Sequence, residues 1–301
     1  MKVLITGASG LLGTELTREL RINGNNCDVL APSRKELDLF DKSLVEKYIQ
    51  HHRPTHVYHL AATVMGVGGH SLFPLKSHDE NNLIDSNIFA ALKQYPPTWI
   101  YYSSSVAAYG HPYTSLPLKE SELLIGAPHK SEFGYAISKR KAIRDLDWLR
   151  AEMGVTYIYG LTTNLFGDSD RFQNGNGHVI ISLLTKALMA RQTGEQLRPW
   201  GSGNASRDFI SSKDAARILT DIIGLNVGLL NIASGNELRI SSIVELIAKK
   251  MDLSNGFEFT GSQEGITRRW CDITNLSRYT NLENLESVNE YIDRFIKLKL
   301  S

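Results

Sequence analysis

Tyr135 and Lys139 stand four residues apart in Phe133-Gly-Tyr135-Ala-Ile-Ser-Lys139, so on a helix phenol and ammonium share one face. An ammonium beside a phenol favours the phenolate and draws its pKa from about 10 towards neutrality. Such a tyrosine can exchange a proton with a sugar or alcohol oxygen near pH 7. In a chain with 12 tyrosines the spacing alone is close to what chance supplies. The elements around the pair must therefore place it beside something reactive.

The chain opens on Lys2-Val-Leu-Ile-Thr6, an apolar run of buried-strand length. Gly7, Gly10 and Gly13 follow at intervals of three, and Leu12, Leu16 and Leu20 recur at helical spacing. Strand, glycine turn and helix form the phosphate-binding opening of a dinucleotide fold. Gly7 permits the tight turn, Gly10 lets backbone approach a pyrophosphate, and Gly13 lets helix and strand pack closely. The helix N-terminus then faces the phosphates with its N–H groups. A second strand, Cys27 to Ala31, runs into Pro32-Ser33-Arg34. NAD sites usually place an acid at this strand end, but no carboxylate follows it until Glu36, and Asp28 lies inside the strand. Arg34 suits a 2′-phosphate, which makes NADP(H) the expected cofactor; a solvated loop arginine is the other reading.

A helix over Ser43–His52, a strand over His56–Leu60, a helix from about Leu75 to Gln94 and a strand from Thr98 to Ser103 continue the alternation. His56 and His59 would point to opposite faces of their strand, so no metal site is expected. Ser103-Ser104-Ser105 closes the fourth strand, the helix of Tyr135 and Lys139 runs to about Glu152, and Gly154–Tyr159 is the fifth strand. This order predicts an α/β fold, a Rossmann-type doubly wound parallel sheet, with ligands beyond the strands' carboxyl ends. The glycine-rich loop Gly66–Gly69, Ser105 and Asn164 fall at such ends. Beyond residue 165 the texture changes, with helices from His178 to Met189 and near 213–223 and 241–251. A smaller, mixed α/β C-terminal substrate lobe over 166–301 is expected beside a cofactor domain over 1–165, with some chain interchange.

A net charge of +1 leaves no footprint for nucleic acid or an anionic membrane. Cys27 and Cys271 suggest neither a disulfide framework nor a zinc site. No apolar run reaches the ~18 residues of a membrane span. The N-terminus enters a strand at once, leaving no room for a signal peptide, so a cytoplasmic protein is expected.

Taken in order, these residues resemble the extended short-chain dehydrogenase/reductase family of NAD-dependent epimerases and dehydratases, in particular its GDP-L-fucose synthase branch. The likeness rests on the three glycines, Arg34-Lys-Glu-Leu-Asp38-Leu39, Leu60-Ala61-Ala62, Asn81, Ser103–Ser105, Glu120–Leu124 and Tyr135 with Lys139. It continues through Thr163-Asn164-Leu165, Asn176-Gly-His178, Trp200–Gly203, Ser206–Phe209 and Arg268–Asp272. The resemblance implies that Tyr135 protonates a sugar's O4 as NADPH delivers hydride to C4. Lys139 would lower the pKa of Tyr135 and hold the nicotinamide ribose, and Ser105 would hydrogen-bond the carbonyl oxygen. Ser103 or Ser104 could instead be the serine that faces the ligand. Cofactor contacts would also come from Ser9, Leu11, Leu12, Asp38, Leu39, Leu60, Ala61, Ala62, Asn164, Leu165 and His178. The substrate would meet Ser105, Asn164, Lys186, Trp200, Arg207 and Arg268, with Lys186 and Arg207 on the pyrophosphate. Ordinary core for Trp200 and a solvated helix face for Lys186 are the alternatives. A homodimer through the two long helices is a further family expectation.

One position departs from the pattern. In the family a cysteine two places after the serine shares C3 and C5 epimerisation with a histidine; His178 matches the histidine, but Ala107 stands at the cysteine. The expected activity is NADPH-dependent 4-reduction of a nucleotide-linked (by resemblance, GDP-linked) 4-keto-6-deoxy hexose or heptose without efficient epimerisation. A complete 3,5-epimerase/4-reductase is the first alternative and a non-catalytic NADP-binding regulator the second. A 4,6-dehydratase would want an acidic pair where Val106 and Ala107 stand.

Overall fold

The computed structural model describes residues 1–23, 27–64, 72–170, 177–261 and 265–300; the loop at Gly66–Gly69 and Asn176 lie outside them. Five strands, β1 (Lys2–Thr6), β2 (Asp28–Leu30), β3 (His56–His59), β4 (Trp99–Ser105) and β5 (Thr156–Thr162), pair in parallel in the order β2-β1-β3-β4-β5. The side chains of β1, β3, β4 and β5 are largely buried on both faces, as parallel strands require, while the edge strand β2 is partly open. Leu4, Val57, Ile100 and Tyr102 face one layer of helices, and Val3, Ile5, Tyr58 and Tyr101 face the other. The α/β, doubly wound parallel sheet read from the sequence is the one these strands form.

The first layer holds α2 (Lys42–His52), α3 (Pro74–Gln94) and α4 (Phe133–Met153), preceded along the chain by α1 (Leu11–Asn23) on the opposite face. Asp41 caps α2 by accepting from the Leu44 amide at 3.0 Å, one of the free first-turn donors. Leu12, Leu16 and Leu20 turn one stripe of α1 onto the sheet; burying each stabilises by about 1.5–3 kcal/mol. Gly134 sets the start of α4: a Cβ there would lie 2.1 Å from the Pro74 carbonyl oxygen, so only glycine lets α3 and α4 begin in contact. That contact fixes the height of Tyr135, one residue on.

After β5 the chain builds a second sheet from β6 (Asn164–Phe166) and, beyond α5 (Val179–Thr193), β7 (Ser206–Ser211). It then returns to the first. Helix α6 (Ser212–Asp221) packs beside α1, and β8 (Gly228–Ile232) adds a sixth parallel strand at the β5 edge. Strand β9 (Glu237–Arg239), α7 (Ile240–Lys250), β10 (Arg268–Arg269) and α8 (Val288–Leu300) complete the second layer. That sheet is mixed: β6 and β10 run parallel to β7, and β9 antiparallel. Phe166, Ile180, Leu184, Phe209, Ile247 and Tyr291 form its own core. Among the described residues no helix is long and apolar enough to cross a membrane.

Candidate active site at the carboxyl ends of the strands

The sheet order reverses direction of growth between β1 and β3, which opens a crevice at their carboxyl ends. The glycine turn lies in it. Gly7 has φ +74°, and the Gly10 amide bonds the Gly7 carbonyl at 3.0 Å. A Cβ on Gly13 would come within 2.2 Å of the Gly7 oxygen, so helix and turn close only around glycine. Ala8, Ser9, Thr14, Ala31, Pro32 and Ser33 line a cleft of about 480 Å³ beside this turn. The shape and the exposed N–H groups fit the adenosine diphosphate half of a dinucleotide. Arg18 and Arg21 also line it, which the linear reading missed; both sit on the face of α1 nearest the end of β2. Arg34 is exposed, 3.8 Å from Asp38 and stacked over the Phe40 ring at 5.3 Å. Glu36 lines the cleft as well, but its carboxylate accepts from the Ser33 amide at 2.8 Å and is committed to the turn. Leu60, Ala61 and Ala62 follow β3 beside Gly7, and a Cβ on Gly7 would meet the Ala61 amide at 2.8 Å. Leu39 is buried under α3, where Asn87 donates to its carbonyl.

Ser105 is the last residue of β4 and caps the short turn that follows, its Oγ accepting from the Ala107 amide at 3.2 Å. That bond uses a lone pair, so the hydroxyl proton can still be donated to a substrate oxygen. Ser104 points the opposite way, buried, with its Oγ donating to the Tyr159 hydroxyl at 2.7 Å. Of the serines, Ser104 is thus occupied in the core, whereas Ser103 and Ser105 share the strand's other face.

Tyr135 occupies the first turn of α4, and Lys139, 1% exposed, lies one turn on. The Lys139 ammonium sits 5.8 Å from the Tyr135 ring centre and 4.7 Å from that of Tyr102, over the ring face. The electrostatics differ from the sequence expectation. Burial pushes the Tyr135 phenol up, and the Glu132 and Asp85 carboxylates add in the same direction. Burial pushes the Lys139 ammonium down, opposed by Asp85. Spacing reports the lysine next door; it does not report desolvation or two carboxylates arriving from other turns. A raised phenol stays protonated at neutral pH, the state in which a proton donor must wait.

The second layer brings Arg207 towards this point. Arg207 pairs in register with Arg269, and Arg268 with Ser206, so Arg207 and Arg269 share one face of the sheet and Arg268 takes the other. Arg269 is buried and holds Glu132 through bonds of 2.7 and 3.3 Å, three residues before Tyr135. Burial and the Arg269 charge bring Arg207 down to about 10. Arg268 does not join this group; it forms a two-point pair with Glu237 at 2.7 and 2.8 Å on the far face. Choosing between adjacent arginines requires the strand register, which no local pattern supplies. Asn164 begins β6 and donates to the Asp208 carbonyl at 2.9 Å, with Leu165 half-buried beside it. His178 is exposed at the start of α5, its Nδ1 2.9 Å from Asp170. Lys186 is half-buried on α5, and Trp200 is 64% exposed rather than core. Ala107, two residues after Ser105, is buried. Cys271 is buried with its thiol pushed well up by burial and by Asp208, and Cys27 precedes β2. Among the described residues no cluster of three potential metal ligands occurs.

A glycine turn at the switch point of a parallel sheet, with a half-buried Tyr135 beside a buried Lys139, defines a dinucleotide-dependent enzyme of the Rossmann class. Residues 3–228 match the NAD dependent epimerase/dehydratase family, and the chain belongs to it. GDP-L-colitose synthase of Yersinia pseudotuberculosis is 28% identical over 295 residues, covering 95% of each chain. GDP-L-fucose synthase of Escherichia coli K12 is 28% identical over 288 residues, covering 91% of this chain and 89% of the other. A GDP-mannoheptose C4 reductase from Campylobacter jejuni with NADP bound superposes with a TM-score of 0.80 at 22% identity, over 98% of both chains.

Proposed function

We propose that the chain reduces the C4 ketone of a GDP-linked 4-keto-6-deoxy hexose or heptose with NADPH, and does so without efficient epimerisation at C3 and C5. One observation carries the second half: Ser105, Tyr135 and Lys139 are all retained, while the buried position two residues after Ser105 is Ala107, whose methyl group cannot exchange a proton. The relatives named for GDP-L-colitose and GDP-L-fucose synthesis, and the GDP-mannoheptose C4 reductase, support a GDP-sugar ketone as the substrate class.

NADPH, held by Gly7–Gly13 with Arg34, Arg18 and Arg21 towards its 2′-phosphate, would supply the hydride. Ser105 donates a hydrogen bond through its hydroxyl to the carbonyl oxygen and orients it, keeping its own proton. Tyr135, kept protonated by burial, passes its proton to O4 as charge develops there. The phenolate so formed lies beside the Lys139 ammonium, which stabilises it more than it stabilises the neutral phenol. Arg207, with Arg269 behind it, holds the diphosphate.

Incubating enzyme, NADPH and the 4-keto sugar nucleotide in deuterated water tests the reading. C3 and C5 should retain protium in the reduced product. Deuterium at both carbons would establish a complete 3,5-epimerase/4-reductase instead, with His178, paired to Asp170, as the remaining base. No NADPH oxidation with any 4-keto sugar nucleotide would return the protein to a non-catalytic binder of the cofactor.

We also infer a homodimer through α3 and α4. Leu75, Leu83 and Trp148 are 76%, 45% and 57% exposed on these helices, apolar side chains that a partner copy would cover. Trp148→Glu should then sediment as a monomer, and a wild-type chain of monomeric mass would remove the inference.

A further inference from the structure

Beneath the cofactor crevice lies a buried polar chain that neither the motif nor the family likeness singles out. Thr6 Oγ1, at the end of β1 just before the glycine turn, is 2.7 Å from His59 Nδ1. His59 Nε2 is 3.0 Å from Asp85 Oδ1, and the Tyr102 hydroxyl donates to Asp85 Oδ2 at 2.6 Å. The Lys139 ammonium lies over the Tyr102 ring. His59 and Asp85 are each 1% exposed and Tyr102 is fully buried. A carboxylate so deep costs several kcal/mol unless cations and donors surround it. Each Asp85 oxygen has one of these partners, and Lys139 stands over the ring of the tyrosine that donates to it.

We propose that Asp85, held by His59 and Tyr102, is the positioning residue that keeps Lys139 charged and aimed at the nicotinamide ribose. An ammonium with 1% exposure would otherwise lose its proton within the working pH range. Asp85 opposes that loss by its charge, and the Tyr102 face adds a cation–π attraction at 4.7 Å. The groups facing this centre come from every packed element: Thr6 on β1, His59 on β3, Tyr102 on β4, Tyr159 on β5, and Tyr135 with Lys139 on α4. Asp85 is the carboxylate whose charge favours the Lys139 ammonium, and Tyr135, Tyr102 and Tyr159 are all pushed up by burial. Because Thr6 adjoins Gly7, the same chain ties the turn that holds the pyrophosphate to the lysine that holds the ribose.

The inference rests on Lys139 contacting NADPH, and the test separates the two. NADPH affinity is measured against pH by energy transfer from tryptophan to the reduced nicotinamide, for wild type, Asp85→Asn, Asp85→Glu and Lys139→Met. Wild type that binds no NADPH at any pH refutes the proposed function itself. With binding established, Asp85→Asn should move the alkaline loss of affinity down by about 1 pH unit or more. Asp85→Glu should restore the wild-type midpoint, and Lys139→Met should abolish the limb. A merely structural Asp85 would weaken binding equally at every pH. An Asp85→Asn profile that superposes on wild type in shape overturns the inference. Should Asp85→Asn not fold, Tyr102→Leu, which removes both the ring face and a carboxylate donor, gives the second reading: a downward shift supports the inference and an unmoved midpoint overturns it.

Discussion

Tyr135→Phe should lower the turnover of NADPH-dependent reduction by about 10²–10⁴-fold, the range lost with a positioned general acid. The substitution removes one oxygen from a ring that otherwise packs as before, so the fold and the glycine turn are untouched. NADPH should bind with nearly its normal affinity, because the turn at Gly7–Gly13 and Lys139 are intact. The loss should therefore appear in kcat, with little change in the cofactor's dissociation constant. Single-turnover oxidation of NADPH at 340 nm, alongside a fluorescence titration of the cofactor, separates the two quantities. Turnover within about fivefold of wild type would mean that another group protonates O4 and that the Tyr–Lys spacing is incidental.

Arg269→Met should destabilise the protein by about 3–5 kcal/mol, the usual cost of leaving a buried charge without its partner. Arg269 ties the edge strand of the second sheet to Glu132 at the foot of α4, through bonds of 2.7 and 3.3 Å, with both side chains out of water. Methionine fills similar volume, so the penalty comes from the stranded Glu132 carboxylate rather than from a cavity. Urea denaturation followed by circular dichroism measures it. The double variant Arg269→Met/Glu132→Gln should recover much of the loss, since it removes both charges together. A single-variant cost below about 1 kcal/mol would show that the pair is wet and energetically minor.

Much of this architecture is legible in one chain because the parallel strands repeat the same signal. Each is a short apolar run that ends in small residues, and the glycine triplet marks the crevice. Tyr135, Lys139 and Ser105 follow, since their elements come in the order the chemistry needs. The unread parts share a cause: they depend on residues that meet only after folding. Asp85 looks like a surface acid on a long helix until His59 and Tyr102 reach it from two strands. Arg268 and Arg269 are interchangeable on paper, and only the pairing of β10 with β7 sends one to Glu132 and the other to Glu237. Glu36 stands several residues past the end of the second strand, yet the turn at Ser33 folds it back into the cleft. The direction of the Tyr135 shift failed for the same reason, because burial is a property of the assembled core.

The return of β8 to the first sheet has a consequence for how such a protein can be taken apart. The chain leaves the six-stranded sheet after β5, comes back through α6 and β8, and leaves again at β9. No single cut separates two self-sufficient pieces, because severing the chain near residue 165 would strip β8 and α6 from the six-stranded sheet and its helix layer. Exchanging the second sheet with that of a relative would need at least two junctions, one on each side of α6 and β8. The two sheets are thus interleaved along the chain, and any exchange of the second must carry or bypass the returning helix and strand.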